Sequence, residues 1–405
     1  MKRVYAALGL LMLGTTPAAE QNTLTEAMAV RLALSRDPVQ QRAEGTLSQA
    51  RSDVMTAGTR PNPELSYERE TLDNDEDHVE QKLVVSQQFD FSGRRKLQVQ
   101  AADRHLEAAR HESDAWRADL VKDVRERFYS ALLHQQRRQA YQTTQDRIRL
   151  LSKALEKRRS EGDVSIYDFQ RVNTERAAIE AEVRNADVDL HAARQNLSVL
   201  LGGDSGGFRS LEGELLPGKP AATEQLLAAL DNRPALRGLK EQSEAFALQQ
   251  RAESRTFPDV TLGLGLKREE TNDQTDNGLV LNASIPIPVF DKRKDKQTRY
   301  QAQALVARSE YELARGTARA ELQGLRQQVT QYQESAATFR QDAVQGAHKL
   351  IDIAEAYYRA GEVGILELLD AYRGSLSAEL NALELEFKAR SARIQLDYLT
   401  GGAVQ

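Results

Sequence analysis

Two phrases far apart in the chain, EGDVSIYDFQR at 161–171 and AGEVGILELLDAYR at 360–373, follow one pattern. Gly162 returns as Gly361, LLGG at 200–203 as LTGG at 399–402 and Phe91 as Phe290, each after 199 positions. Asp37-Pro38 likewise returns as Arg233-Pro234. Pro63 and Pro258 are 195 apart, so an insertion of about four residues separates these landmarks from the later ones. One unit of nearly 200 residues is therefore duplicated, and whatever the first copy folds into, the second must fold into as well.

Each copy opens with a short amphipathic stretch, TEAMAVRLALSRDP or TEQLLAALDNRP, closed by a proline that cannot continue a helix. A second helical stretch follows, up to Pro61 or Pro258. Then the period changes from helical to two. In PDVTLGLGLKR, Val260, Leu262, Leu264 and Leu266 alternate with Thr261, Gly263, Gly265 and Lys267. Its partner NGLVLNASIPIP puts Leu279, Leu281, Ala283 and Ile285 on one face and Val280, Asn282 and Ser284 on the other. The first copy repeats this more weakly, with Leu65, Tyr67, Leu83, Val85, Phe89 and Phe91. Each copy thus carries one β-hairpin. The hairpin tips are acidic, but Asp73, Asp75 and Asp77 are followed by His78 where a calcium loop needs glycine and by Val84 where it needs glutamate. A solvated loop is the better reading.

After each hairpin comes a very long helix. From Ser92 to about Ser160 there is no proline, and such a span would reach about 100 Å. The return stretches place Ile179, Val183, Ala186, Leu190 and Leu197, and Leu376, Leu380, Leu383, Phe387 and Ile394, at steps of three and four. Leu322, Leu325, Val329 and Tyr332 give an outgoing helix the matching stripe. The two opening phrases are therefore the turns of two antiparallel helical hairpins, where glycine takes positive φ at little cost.

The expected boundaries are a signal peptide at 1–19, repeat 1 at 20–203 with hairpin 62–91 and helices 92–201, a linker at 204–222, and repeat 2 at 223–402 with hairpin 258–288 and helices 292–399. Lys2 and Arg3, the apolar run Val4–Leu13 and the small residues up to Ala19 have the layout of a secretory leader. Its loss makes the mature chain more acidic than the formal −5 of the whole, which disfavours nucleic acid as a partner. No cysteine exists to carry a disulfide, a thiolate metal site or a lipid. No later segment has 18 consecutive apolar residues, so entry into a membrane would have to be as β-strands.

Two hairpins give four strands with unpaired edges, too few for a barrel, so further copies must close the sheet. Two, three or four copies are possible. The small set Gly263, Gly265, Asn282 and Ser284 favours an open interior, hence about twelve strands from three chains. No catalytic constellation is present. The six histidines (His78, His105, His111, His134, His191, His348) form no i, i+4 metal pair, and no thiol, phosphate loop or GxSxG elbow occurs, so neither enzyme activity nor a cofactor is expected.

The duplicated plan, SQQFDFSGRRK and IPIPVFDKRKDK at the strand-to-helix passages, and the two turn phrases resemble the TolC superfamily of outer-membrane efflux proteins. PNPELSYERE and SIPIPVFDK resemble its CzcC-type branch for heavy-metal cations. The resemblance implies a mainly α fold with a membrane β-barrel portion: as a homotrimer, a 12-stranded barrel in outer-membrane lipid continuing as a 12-helix tunnel in the periplasm. It implies a periplasmic membrane-fusion adaptor and an inner-membrane RND-type pump as partners. Lipid-facing residues would include Leu262, Leu264, Leu281 and Ile285. Carried over from the tip glycine Gly361, the two acidic gate rings fall on Glu367 and Asp370, which share a helix face. The matching tip residues of the latch are Asp168 and Tyr358. The latch arginine falls on the uncharged Val363, so that salt link does not carry over, and Arg171 and Arg373 are the candidates to replace it. Adaptor contacts would fall on Gly162, Val164 and Ser165 and on Gly361, Val363 and Gly364. Asp295 stands where the branch has glycine, which puts the strand-to-helix bend there in question. Two alternatives stay open: a drug-efflux or type I secretion channel, and a periplasmic coiled-coil adaptor without a pore.

Overall fold

The computed structural model describes residues 23–72, 78–160, 164–203, 208–271 and 273–402. The leader, the first hairpin tip at 73–77 and Gly162 lie outside the described residues. The chain divides into two compact units that cut across the sequence repeats: residues 1–36, 120–220 and 327–395 form one, and 37–119, 221–326 and 396–405 the other. The duplication is thus a unit of sequence and not of packing, because each helical hairpin buries its stripe partly against the other repeat's.

The first unit begins with β1 (Thr23–Thr25) and α1 (Glu26–Leu34). Thr25 caps α1, its hydroxyl accepting from the Met28 backbone N–H at 3.3 Å. β1 pairs in parallel with β4 (Ser210–Glu212), so the expected linker contains a strand that three residues, SLE, do not announce. The unit also takes residues 120–160 of α3 (Arg94–Ser160), all of α4 (Ile166–Leu201), and the matching parts of the second repeat. There the outgoing helix is broken: α7 (Lys294–Phe339) passes through a π turn at Arg340–Val344 into α8 (Gln345–Ala360), and α9 (Ile365–Leu399) returns. The seam residues Ile179, Val183, Ala186, Leu190 and Leu197 of α4 are all buried. Two cores result. One gathers Leu24, Phe128, Leu132, Leu197, Leu211 and Ile394; the other, behind the helical turns, gathers Ile148, Leu155, Val172, Ile351, Leu368 and Leu369.

The second unit holds a four-stranded antiparallel sheet in the order β2 (Glu64–Leu72), β3 (His78–Phe89), β5 (Val260–Glu270), β6 (Thr275–Ser284). The two hairpins pair with each other through β3 and β5, which leaves β2 and β6 as edges. The same unit contains α2 (Asp37–Gly58), α5 (Thr223–Leu230) and α6 (Pro234–Glu253). Pro38 and Pro234 open α2 and α6, where the missing N–H costs nothing.

The glycines of β5 have a different cause from the one expected. A Cβ on Gly265 would stand 2.3 Å from the Leu83 carbonyl oxygen, and one on Gly263 would stand 3.1 Å from Val84 Cγ1. Close packing against β3, where Val84 is buried, is thus a local reason for both glycines. Asp295 does not hold the strand-to-helix bend either. It is helical in the first turn of α7, and the left-handed residue is Arg293, at φ 56, matching Gly93 at φ 72 directly before α3.

Candidate functional site

The acidic turn of the second repeat is built from its glycine upward. Gly361 ends α8 at φ 77; its N–H reaches the Tyr358 carbonyl at 3.2 Å, and that of Glu362 reaches Tyr357 at 2.9 Å. α9 then starts with Ile365, Leu368, Leu369 and Tyr372 buried in the core behind the turn. The helical period leaves Leu366, Glu367, Asp370 and Arg373 exposed on the opposite face. Glu367 and Asp370 are therefore one turn apart and open to whatever lies outside the chain.

The duplicate turn serves a local purpose as well. Ser165 caps α4, accepting from the Asp168 N–H at 3.0 Å while its hydroxyl donates to the Asp168 carboxylate at 2.8 Å. Asp168 is thus held by the N-cap serine. Glu367 occupies the same place in α9, and a Cβ on Gly364 would meet its Oε2 at 2.9 Å. Asp370, a turn further in, has no capping geometry. Val164 packs on the core behind the turn, while Ser165, Ile166 and Tyr167 are exposed.

Tyr358 also packs against that core, with the Arg158 guanidinium 5.9 Å from its ring. Of the two substitute arginines, Arg373 is engaged: its Nε donates to Glu175 of α4 at 2.8 Å, and Nη2 binds the same carboxylate. That hydrogen bond raises the Arg373 pKa. The neighbouring Tyr372 hydroxyl donates to Glu355 at 2.9 Å, and burial followed by this acceptor pushes its pKa far above the tyrosine range. Nothing in the sequence marks Glu175 or Glu355, since charges on a helical surface show no partner by spacing alone.

Higher in the same unit, Arg340 bonds to Glu379 at 3.2 Å and to Glu386 across to α9, at the start of the π turn. Burial alone would lower the Arg340 pKa, but the two carboxylates outweigh it and raise it. These side chains line a cleft of about 760 Å³ with Thr143, Arg147 and His348. Among the described residues, no group of three or more His, Asp or Glu could hold a metal ion.

The second unit carries a separate feature, its sheet. Its register aligns Leu65, Val85, Leu264 and Leu281 in one cross-strand row and Tyr67, Leu83, Leu266 and Leu279 in the next, all on one face and all exposed. Leu262 shares that face, and Ile285, directly after β6, is exposed. The opposite face carries Glu68, Lys82 and Lys267, then Glu70, Glu80, Glu269 and Asp276. Apolar outside and charged inside is the pattern of a membrane barrel wall, inverted from that of a water-soluble sheet. No described helix is long and apolar enough to cross a membrane.

These features define an outer-membrane channel of the TolC type. The chain belongs to the outer membrane efflux protein family, whose model matches residues 29–203 and 226–402, one match per repeat. It is similar to the cobalt-zinc-cadmium resistance protein CzcC of Cupriavidus metallidurans, 28% identical over 397 residues, covering 97% of this chain and 94% of that protein. In fold it is similar to VceC of Vibrio cholerae (TM-score 0.74, 20% identity, 93% and 96% of the two chains) and to the CmeC channel of Campylobacter jejuni (0.73, 15%, 93% and 86%). The open-state MtrE channel of Neisseria gonorrhoeae is similar too (0.71, 16%, 94% and 89%). The expected resemblance and outer-membrane location hold, and a poreless periplasmic adaptor is set aside.

Proposed function

We propose that three copies close a 12-stranded barrel through the edges β2 and β6. The trimer would conduct heavy-metal cations out of the periplasm as the passive outlet of a tripartite system with a membrane-fusion adaptor and an RND-type pump. The observation that carries this reading is the sheet: an exposed apolar face, a charged opposite face and two unpaired edges cannot stand alone in either water or lipid. Cation traffic is supported by the exposed Glu367 and Asp370, which in three copies form two carboxylate rings, and by the metal-resistance relative. Asp168 and Tyr358 steady the turn around that gate, and Arg373 with Glu175 takes the part of the missing latch arginine. The exposed turn residues Ser165, Ile166, Tyr167 and Leu366, beside Gly361, Val363 and Gly364, offer the adaptor its contact.

The test is conductance of the purified protein in planar bilayers. Replacing Glu367 and Asp370 together by alanine should cut cation over anion selectivity several-fold and relieve block by polyvalent cations. Unaltered selectivity and block would remove the gate. A host lacking its own outlet should lose cobalt, zinc or cadmium tolerance when the gene is absent; loss of drug tolerance alone would instead favour a drug-efflux channel.

A further inference from the structure

The passage from sheet to helices combines two features that the channel reading leaves unused. At that end of the sheet the exposed apolar face continues beyond the strands into Phe91, Phe257, Ile287 and Phe290, the last being 98% exposed. Phe89 and Phe91 stack with ring centroids 6.1 Å apart. Residues 285–290 belong to no strand, and Pro286 and Pro288 hold the segment extended without N–H groups to pair. Close behind these side chains the chain is rich in cations, with the exposed acids Asp291 and Asp295 among them. Arg94 and Arg293 are committed, to Asp259 at 2.8 Å and Glu253 at 3.3 Å. Lys96, Arg255, Lys292, Lys294 and Lys296 are exposed and pair with no carboxylate among the described residues. The far end of the sheet is the reverse, with Glu70, Glu80, Glu269 and Asp276 in one cross-strand row.

We infer that this collar of phenylalanines and unpaired cations binds the anionic headgroups of acidic phospholipid in the leaflet on the helix side, and that it anchors the chain there. The inference rests on the sheet spanning the membrane. The rings would lie at the acyl boundary, where aromatic side chains gather, while the lysine stems reach from it to phosphate. Exposed cations on an apolar rim select net-negative lipid because a zwitterionic headgroup offers no net charge to neutralise.

The test uses the full-length trimer in neutral detergent, with retained lipid counted by native mass spectrometry. Phosphatidylglycerol should be kept at least about tenfold better than phosphatidylcholine of the same chains at low salt, from about fivefold per contributing cation. The preference should shrink as salt rises, and glycerol phosphate at equal concentration should not compete. Changing Lys292, Lys294 and Lys296 to glutamine should bring the two lipids near parity, and changing them to arginine should not. Equal retention by the wild type, or full preference in the glutamine variant, overturns the inference. Conductance of the wild type in phosphatidylcholine separates the two readings: a channel without lipid preference sinks the collar alone, whereas no channel sinks the barrel and the collar together.

Discussion

The two repeats are nearly the same length and differ in how they use it. α3 runs 67 residues without a break, while the second repeat covers the matching span, Lys294–Ala360, in pieces of 46, 5 and 16 residues around a π turn. The return helices carry an acid at the same place, Asp187 and Glu386. In the first repeat Arg138 meets Asp187, both well exposed; in the second Arg340, three places further along than Arg138's counterpart Ala337, meets a Glu386 that is buried. A π turn inserts an extra residue into one turn and rotates everything beyond it. The comparison teaches that duplication copies length and seam but not phase, and that in the second repeat a buried carboxylate, Glu386, meets Arg340 where the helix departs from α geometry.

The hairpins differ in the same sense, and the largest expected effect lies there. Gly265→Ala should cost about 3 kcal/mol or more, because the new Cβ meets the Leu83 carbonyl and not a movable side chain. Glu70→Ala in the first hairpin should leave the heat-resistant trimer intact on gels. Equal loss in both would show the hairpins to be more alike than their contacts. Next, Arg340→Met should cost about 2–3 kcal/mol in urea unfolding, since it strands the buried Glu386; the figure is reduced because Arg340 is itself over a third exposed. Arg138→Met should stay within about 0.5 kcal/mol. If the two match, the π turn region is not specially held. Smaller again, Gly93→Ala should cost about 1 kcal/mol at its φ of 72, where the second repeat already tolerates Arg293.

The smallest effect depends on pH. His105 and His134 of α3 are half-buried, and desolvation lowers the pKa of each. Their counterparts in the second repeat are Ala304 and Gln333. A histidine whose folded pKa is depressed stabilises the fold above its unfolded value near 6.5, and that contribution is lost as pH falls through it. Thermal midpoints of the wild type should therefore fall between about pH 7.5 and about pH 5.5, and His105→Gln with His134→Gln should flatten the fall. An unchanged slope would mean that acid sensitivity is not confined to the first repeat.

Much of this was legible in the sequence because it is local. The change of period at Pro258, the prolines opening α2 and α6, and Gly361 at the turn each act within a few residues. The seam residues of α4 are buried as their spacing required. Exposure of Glu367 and Asp370 followed from which side of α9 is apolar. What was not legible depends on distant partners. Ser210–Glu212 becomes a strand because Thr23–Thr25 lies beside it. Arg373 finds its carboxylate on Glu175, 198 positions earlier.

The sequence by itself determined two copies of a hairpin leading into long paired helices, with an apolar strand face and no cysteine, since period, length and composition are properties of the chain alone. Only the tertiary structure decided that the two hairpins join through β3 and β5 into one sheet. It also decided that Gly263 and Gly265 serve Val84, that Arg373 answers Glu175 and that one outgoing helix contains a π turn. Pairings across 100 residues or more are set by packing of the whole chain, and no short window of sequence carries them.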